Sequence, residues 1–427
     1  MEHLLHYVWK HKLFPLKVLQ TTNGLPVEVI DPGLQNPNAG PDFFNAKLKI
    51  NGILWVGNIE IHAHASDWFR HGHDSDKVYD SVILHVVGEA DGEITRTNGE
   101  VIPQLQLTCP EHIRAHYHEL CVADQYPACY PVLASLPKLT VHSWLTALQT
   151  ERLEQKARLI TQRLEHCNNN WEDAFFITLA RNFGFGLNGD AFETWAGLLP
   201  LRAVDKHRND LFQIEALFYG LAGLFEDTFL KKEQEDEYSL RLCKEFRYLQ
   251  RKFEFTRVMD ATLWRFLRLR PENFPHIRLA QLAYLYQKGD KLFSRLLEAE
   301  TLSEVRELLT TRTSAYWESH YLFGQTSPHK EKTLGERSKN LIIINTVTPF
   351  LYTYGLHKAD ERMCERAGRF LEELKAEDNH ITRAWSNAGL PVATAADSQA
   401  LIQLRKEYCD KRKCLFCRFG YEYLRHE

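Results

Sequence analysis

The sequence predicts an α+β protein in which strands and helices are segregated along the chain. Three observations carry this. Runs with strand periodicity end near residue 130, and an Asn51-Gly52 dipeptide joins two of them. From about residue 138 apolar residues recur at helical spacing. We draw an α/β module over residues 1–135 and a mostly helical domain over 136–427, with a candidate break between two lobes near 232–238 at the polar "EQEDEY". A chain of 427 residues accommodates more than one core.

The elements follow in order. Leu4, Leu5, Val8 and Trp9 lie on one face of a short N-terminal helix, and "LPVEVID" is a strand closed by Pro32-Gly33. "FNAKLKI" and "ILWVGNIEIHA" are two strands of a hairpin, because Asn-Gly adopts the positive φ angles of a type I′ turn readily. Residues 66–80 are polar helix or loop, "SVILHVVGEA" is a buried strand, and "EVIPQLQL" adds one more. "LTVHSWLTALQTERLEQKARLITQRLEHC" opens the helical half, which has no fixed-period repeat, and "FGQTSPHKEKTLGERSKN" reads as a long loop.

Composition is that of a globular protein, with 44% hydrophobic and 25% charged residues. A net charge of −4 gives no global attraction to nucleic acid, so an anion-binding surface has to be local. The N-terminal residues lack the apolar core of an export signal, and no apolar run suits a bilayer. Nine cysteines without such a signal indicate thiols. The expectation is a cytoplasmic protein without membrane contact.

The chemistry concentrates in "GPDFFNAKLKINGILWVGNIEIHAHASDWFRHGH", residues 40–73. Side chains two apart in a strand share a face, which puts Glu60, His62 and His64 together. Asp42, entering the partner strand, offers a second carboxylate, and two acids beside a proton-carrying group suit metal-assisted hydrolysis. An unbroken hairpin pairs residue i with 103 − i and sets Asp42 opposite Ile61, away from Glu60. The site therefore requires a bulge, expected at Gly57-Asn58, or a displaced Asp42. Asp67, His71, His73 and Asp76 are further candidates for a second metal or for phosphate contacts, and His85 in its apolar strand could point at the same cleft.

With Pro41-Asp42 entering one strand and Glu60-x-His62 on the next, the segment resembles the core of the PD-(D/E)XK nuclease superfamily. The resemblance implies a restriction-endonuclease-like αβββαβ module and a Mg²⁺ or Mn²⁺ ion on Asp42 and Glu60. It puts His62 where the family has Lys, with Lys47 or Lys49 able to supply the missing charge, and Glu2 as an acid on the first helix. The imidazole departs from the pattern because its unperturbed pKa of ~6.5 makes it no permanent cation. The chain also resembles, over nearly its full length, a family of bacterial proteins known only as a domain of unknown function. "GNIEIHAHASDW", "HGHDSDKVY", "LFQIEALFYGLAGL", "RPENFPHIRLAQLA" and "CLFCRFG" carry that likeness.

Cys409, Cys414 and Cys417 form C-x4-C-x2-C, three ligands for zinc or an iron–sulfur cluster. The fourth would come from Cys364, Cys167, Cys109, Cys121 or Cys129. Between residues 241 and 278 ten Lys and Arg stand against four acids. Arg247, Arg251, Arg257, Arg265 and Arg268 alternate there with aromatics, which suits nucleic acid, DNA rather than RNA, if the rings are exposed. If the rings form the core face, the arginines are only the wet side of amphipathic helices.

Three functions fit. The first is a Mg²⁺- or Mn²⁺-dependent phosphodiesterase of nucleic acid. The second is a nuclease-like adaptor without turnover. The third is a zinc or iron metallohydrolase built on Glu60, His62 and His64 with His71 or His73.

Overall fold

The computed structural model describes residues 2–14, 19–226, 235–288 and 291–426. A seven-stranded mixed sheet is built from β1 (Leu19–Gln20), β2 (Pro26–Asp31), β3 (Leu34–Gln35), β4 (Phe43–Ile50), β5 (Ile53–His64), β6 (Val82–Glu89) and β7 (Gln104–Gln106). Its order is β1-β2-β4-β5-β6-β7, with β3 alongside the start of β4. β2, β4 and β5 form an antiparallel meander, and β6 and β7 are parallel to β5. The helix α1 (Glu2–Lys10) precedes the meander and contacts β5. The crossover from β5 to β6 holds the short helix α2 (Asp67–Arg70) and the 3-10 turn Lys77–Ser81.

Strand burial follows the sequence pattern. In β4, Ala46, Leu48 and Ile50 are buried while Lys47 and Lys49 are exposed, the alternation of a strand with one wet face. In β6 every residue from Val82 to Val87 is buried, as expected of a strand rich in Val and Ile between two parallel neighbours. Asn51 and Gly52 both have positive φ, +51° and +81°, and make the expected tight turn.

The chain divides into two units, one of Met1–Val141, Ala384–Leu390 and Leu404–Glu427, the other of His142–Arg383 and Pro391–Gln403. The anticipated boundary after residue 135 lies close to the first crossing, but the C-terminal cysteine segment belongs to the first unit, not to the helical half. The cause is tertiary packing. The helix Arg418–Arg425 buries Phe419 and Leu424 and contacts the helices Glu111–Val122 and Tyr130–Leu133. Tyr423 also donates its hydroxyl to Glu119 at 2.8 Å. Of the anticipated lobe break, residues 232–234 lie outside the described residues. The predicted long loop is shorter than expected, since Gln325–Thr326 pairs with His320–Leu322 and a helix starts at Glu336.

The second unit is helical around a core rich in Phe, Trp and Leu. Its helix Leu211–Leu221 is buried from Ile214 onward and carries Glu215 with no exposed surface. Burial pushes the Glu215 carboxyl up to about 7, against the pull of the Tyr238 hydroxyl it accepts from. The folded state therefore favours the protonated acid. Its contribution to stability is complete below the unfolded value of 4.5 and is lost as pH rises through about 7. Glu215→Gln keeps an acceptor for Tyr238 but cannot ionise. Urea denaturation should find the variant near wild type at pH 5 and more stable by about 3 kcal/mol at pH 8, from 1.36 kcal/mol per pKa unit. Equal differences at both pH values would contradict it.

Candidate metal centre

The hairpin register decides whether Asp42 can meet Glu60. From Ile50↔Ile53 to Ala46↔Gly57 the pairs sum to 103, but Phe43 faces Ile59 and sums to 102. One extra residue has entered β4 at Phe44-Asn45, where Asn45 has φ +55° and its N–H reaches the side chain of Asn58 at 3.3 Å. A bulge thus exists, on β4 rather than at the anticipated Gly57-Asn58. Asn tolerates the left-handed conformation that a bulge uses. Gly57 is instead taken up by packing, because a Cβ there would lie 2.4 Å from Ile83 Cγ2.

The shift brings the two acids together. The Asp42 N–H donates to Glu60 Oε2 at 3.1 Å, and Asp42 Oδ2 accepts from the Ile61 N–H at 2.8 Å. Burial raises the Asp42 carboxyl to about 6, opposed by the Ile61 N–H and reinforced by the charge of Glu2. Glu60 is also raised, first by burial, with its bond to His73 opposing and Asp42 reinforcing. Both α1 side chains on this side take part: Glu2 through its charge, and His6 with Nε2 at 3.5 Å from Asp42 Oδ2. His6 Nε2 is buried and makes no hydrogen bond among the described residues.

On the other side of Glu60 stand the histidines. Glu60 Oε1 is 3.3 Å from His73 Nε2 and 3.6 Å from His62 Nε2, and His71 Nδ1 is 3.1 Å from His62 Nε2. Donor atoms of His62, His71 and His73 all lie within 4.8 Å of one another. Tetrahedral donors at about 2.1 Å from one ion are about 3.4 Å apart, so these spacings suit a single transition-metal ion. The "HGH" segment makes this local geometry possible. Gly72 has φ +75° and lets the chain turn back after α2, with the His71 N–H bonded to Asp67 O and the His73 N–H to Trp68 O.

The surrounding residues hold the rings in place. His62 Nδ1 lies 2.8 Å from His85 Nε2. For His62 Nε2 to offer a lone pair, its ring proton sits on Nδ1 and is donated to His85, an outer contact that fixes both tautomer and orientation. Burial, then His85 and its other imidazole neighbours, holds His62 down at about 2, and burial holds His85 at about 3. His62 is accordingly a neutral imidazole and not the permanent cation that a lysine would be. His73 is stacked between His62 and Tyr79, at 5.4 and 3.7 Å between ring centres, and Trp68 packs edge-on against His73 and His85. His71 is exposed and marks the open side of the group.

The remaining candidates fall elsewhere. Lys47 pairs with Val56, four residues along β5 from Glu60 and so ~13 Å away at strand spacing; Lys49 pairs with Glu28 at 3.3 Å. His64 is exposed beside Glu89. Asp67 accepts from the His64 N–H and bonds Arg70, and Asp76 caps the Lys77–Ser81 turn through the Val78 N–H. Sequence reasoning missed His6 and Tyr79. The helical spacing of Glu2 and His6, i and i+4, was a usable signal for the first.

Arg247, Arg251, Arg257, Arg265 and Arg268 are all exposed, but Phe246 and Trp264 are buried and Phe253, Phe255 and Phe266 pack against the core. Most of the expected stacking rings thus serve the core, and Tyr248 is the exposed exception. Arg268 lines a depression of about 690 Å³ in the second unit with Arg270, Arg278, Lys330, Lys332 and Arg337 and the acids Glu272 and Glu331, while Arg247 and Arg251 line a smaller one with Lys244 and Glu235.

No helix among the described residues is long and apolar enough to cross a membrane. The model of a family described as "Protein of unknown function (DUF2851)" matches residues 2–380. No curated protein and no solved structure matches the chain.

Proposed function

The chain belongs to the DUF2851 family, and since that membership carries no activity, we propose from the site itself that it is a metal-dependent phosphodiesterase acting on nucleic acid. The observation that carries this is the bulge at Phe44-Asn45, which sets Asp42 and Glu60 on one face beside His62, His71 and His73. The order of α1, meander, crossover and parallel β6, with Pro41-Asp42 and Glu60-x-His62 in place, supports a nuclease-like module. The basic depression supports a polyanionic substrate.

His62, His71, His73 and Glu60 would hold the ion, with Asp42 beside them. An imidazole-rich set favours Mn²⁺, Zn²⁺ or Fe²⁺ over Mg²⁺. A divalent ion held by these residues would supply Lewis-acid chemistry for a phosphodiester and for the activation of water. The protein supplies the rest. His85 keeps His62 Nε2 free, Glu60 ties the imidazoles to Asp42, and the buried, unbonded Nε2 of His6 is placed to accept a proton on the Asp42 side.

The test is cleavage of single- and double-stranded DNA and RNA by the full chain with Mn²⁺, Zn²⁺, Fe²⁺ or Mg²⁺, beside His62→Ala and His71→Ala. Turnover strongest with a transition metal and lost in both variants is the expected result. Tight nucleic-acid binding without turnover in any ion would replace this reading with the adaptor one.

A further inference from the structure

A second ligand set lies in the first unit, away from the histidines in sequence and chemistry. Cys129, Cys409, Cys414 and Cys417 all line one cavity of about 220 Å³. All nine cysteines are thiols. Two local devices hold the C-terminal three. Residues 414–416 form a 3-10 turn in which the Cys417 N–H bonds Cys414 O at 3.2 Å, so the sulfurs of the C-x2-C pair are carried on one tight turn. Gly420 admits the backbone closely, since a Cβ there would sit 2.2 Å from Cys414 O. Cys129 is brought to them from the other end of the sequence by the packing of Arg418–Arg425 on Tyr130–Leu133.

We infer that these four thiols hold an iron–sulfur cluster of the [4Fe–4S] type, which takes four cysteine thiolates. Cys129 is the ligand that sequence spacing left unassigned; Cys121 is near Cys414 but does not line the cavity. The four sulfurs act on one another electrostatically. The Cys129 thiol, pushed up mainly by burial, is pushed further by the other three, and Cys414 stands at about 11 from burial and then Cys417. Arg405 and Arg412 line the same cavity together with Asp124 and Asp410, and Arg405 pairs with Asp410 at 2.5 Å.

Spacing separates this from zinc. Four thiolates close on Zn²⁺ at about 2.3 Å, so their sulfurs are about 3.8 Å apart. Among the described residues the set of three or more ligating atoms within 4.8 Å is the histidine group, not the cysteines. A cavity of about 220 Å³ that all four cysteines line leaves room for a cluster larger than one ion. Insertion of a preformed cluster releases four thiol protons and needs no net redox change.

The experiment is anaerobic purification of the full chain, and reconstitution with equal parts of ferrous and ferric iron and with sulfide, which assembles the cluster with no further oxidant, followed by acid-labile sulfide, iron and zinc analysis and visible absorption. Sulfide readout separates this site from the histidine centre, which binds none. About four sulfides per chain are expected. Cys129→Ser and Cys417→Ser should fall to background and Cys121→Ser should not, with circular dichroism reporting the fold. Wild type alone decides if a variant fails to fold. Background sulfide, or loss in Cys121→Ser but not in Cys129→Ser, would overturn the assignment.

Discussion

Asp42→Asn and Glu60→Gln are each expected to cut metal-dependent cleavage by on the order of 10²-fold or more, without unfolding the protein. A bound divalent ion contributes several kcal/mol to transition-state stabilisation, and each 1.36 kcal/mol is a factor of ten in rate. Both replacements keep the shape of the side chain and an acceptor oxygen, so the bonds from the Ile61 and Asp42 N–H groups can persist. What each removes is one of two buried acids, whose proton affinities burial raises and of which Asp42 also raises that of Glu60. Without metal that pair is a liability, and either variant should melt at or above the wild-type temperature. With Mn²⁺ the order should invert, because wild type gains the binding free energy and the variants do not. The check is a pair of thermal melts, with chelator and with Mn²⁺, beside the cleavage assay. Variants that cleave within a few-fold of wild type and keep the Mn²⁺ shift would remove Asp42 and Glu60 from the site.

The same residues show how far the sequence could be read. Period-two burial fixes β4 and β5, and Asn51-Gly52 fixes their turn, so the register sum of 103 follows from sequence alone. That arithmetic exposed a conflict at Asp42 and required a bulge. It could not say which strand carries the bulge, because Gly57 is the stronger local signal and Asn45 a weak one. The deciding contacts are tertiary: Ile83 against Gly57, and the β3 turn against Phe44. The histidines divide in the same way. His62 follows from strand alternation, but the arrival of His71 and His73 depends on Gly72 and on Trp68 packing against His73. His64 has the right parity yet lies past the end of the cleft, where its neighbour is Glu89. Cys129 was one name among five, since no spacing rule connects residues that far apart. The basic, aromatic stretch illustrates the opposite error, a pattern in which most rings had already been claimed by the core.

Gly33→Ala should cost about 2–4 kcal/mol in stability and weaken metal binding with it, although Gly33 touches no ligand. Its φ is +90°, where a side chain is strained, and an added Cβ would lie 2.6 Å from Phe44 O and 3.1 Å from Ala46 N. Those backbone atoms are the bulge itself. The methyl group can be accommodated only by lifting the β3 turn or by pressing Phe44-Asn45 flat. The second route restores the unbroken register, in which Asp42 falls opposite Ile61 and leaves Glu60. Gly24→Ala separates the two contributions. It carries a similar φ, +79°, with nothing within 4 Å of the new Cβ, so it should show only the backbone cost of roughly 1 kcal/mol. Urea denaturation and Mn²⁺ titration of both variants make the comparison. If Gly33→Ala matched Gly24→Ala in stability and in Mn²⁺ affinity, the bulge could not be what holds Asp42 at the site. A larger loss confined to Gly33→Ala, in both measurements, would tie the conformation of one residue outside the site to the chemistry inside it.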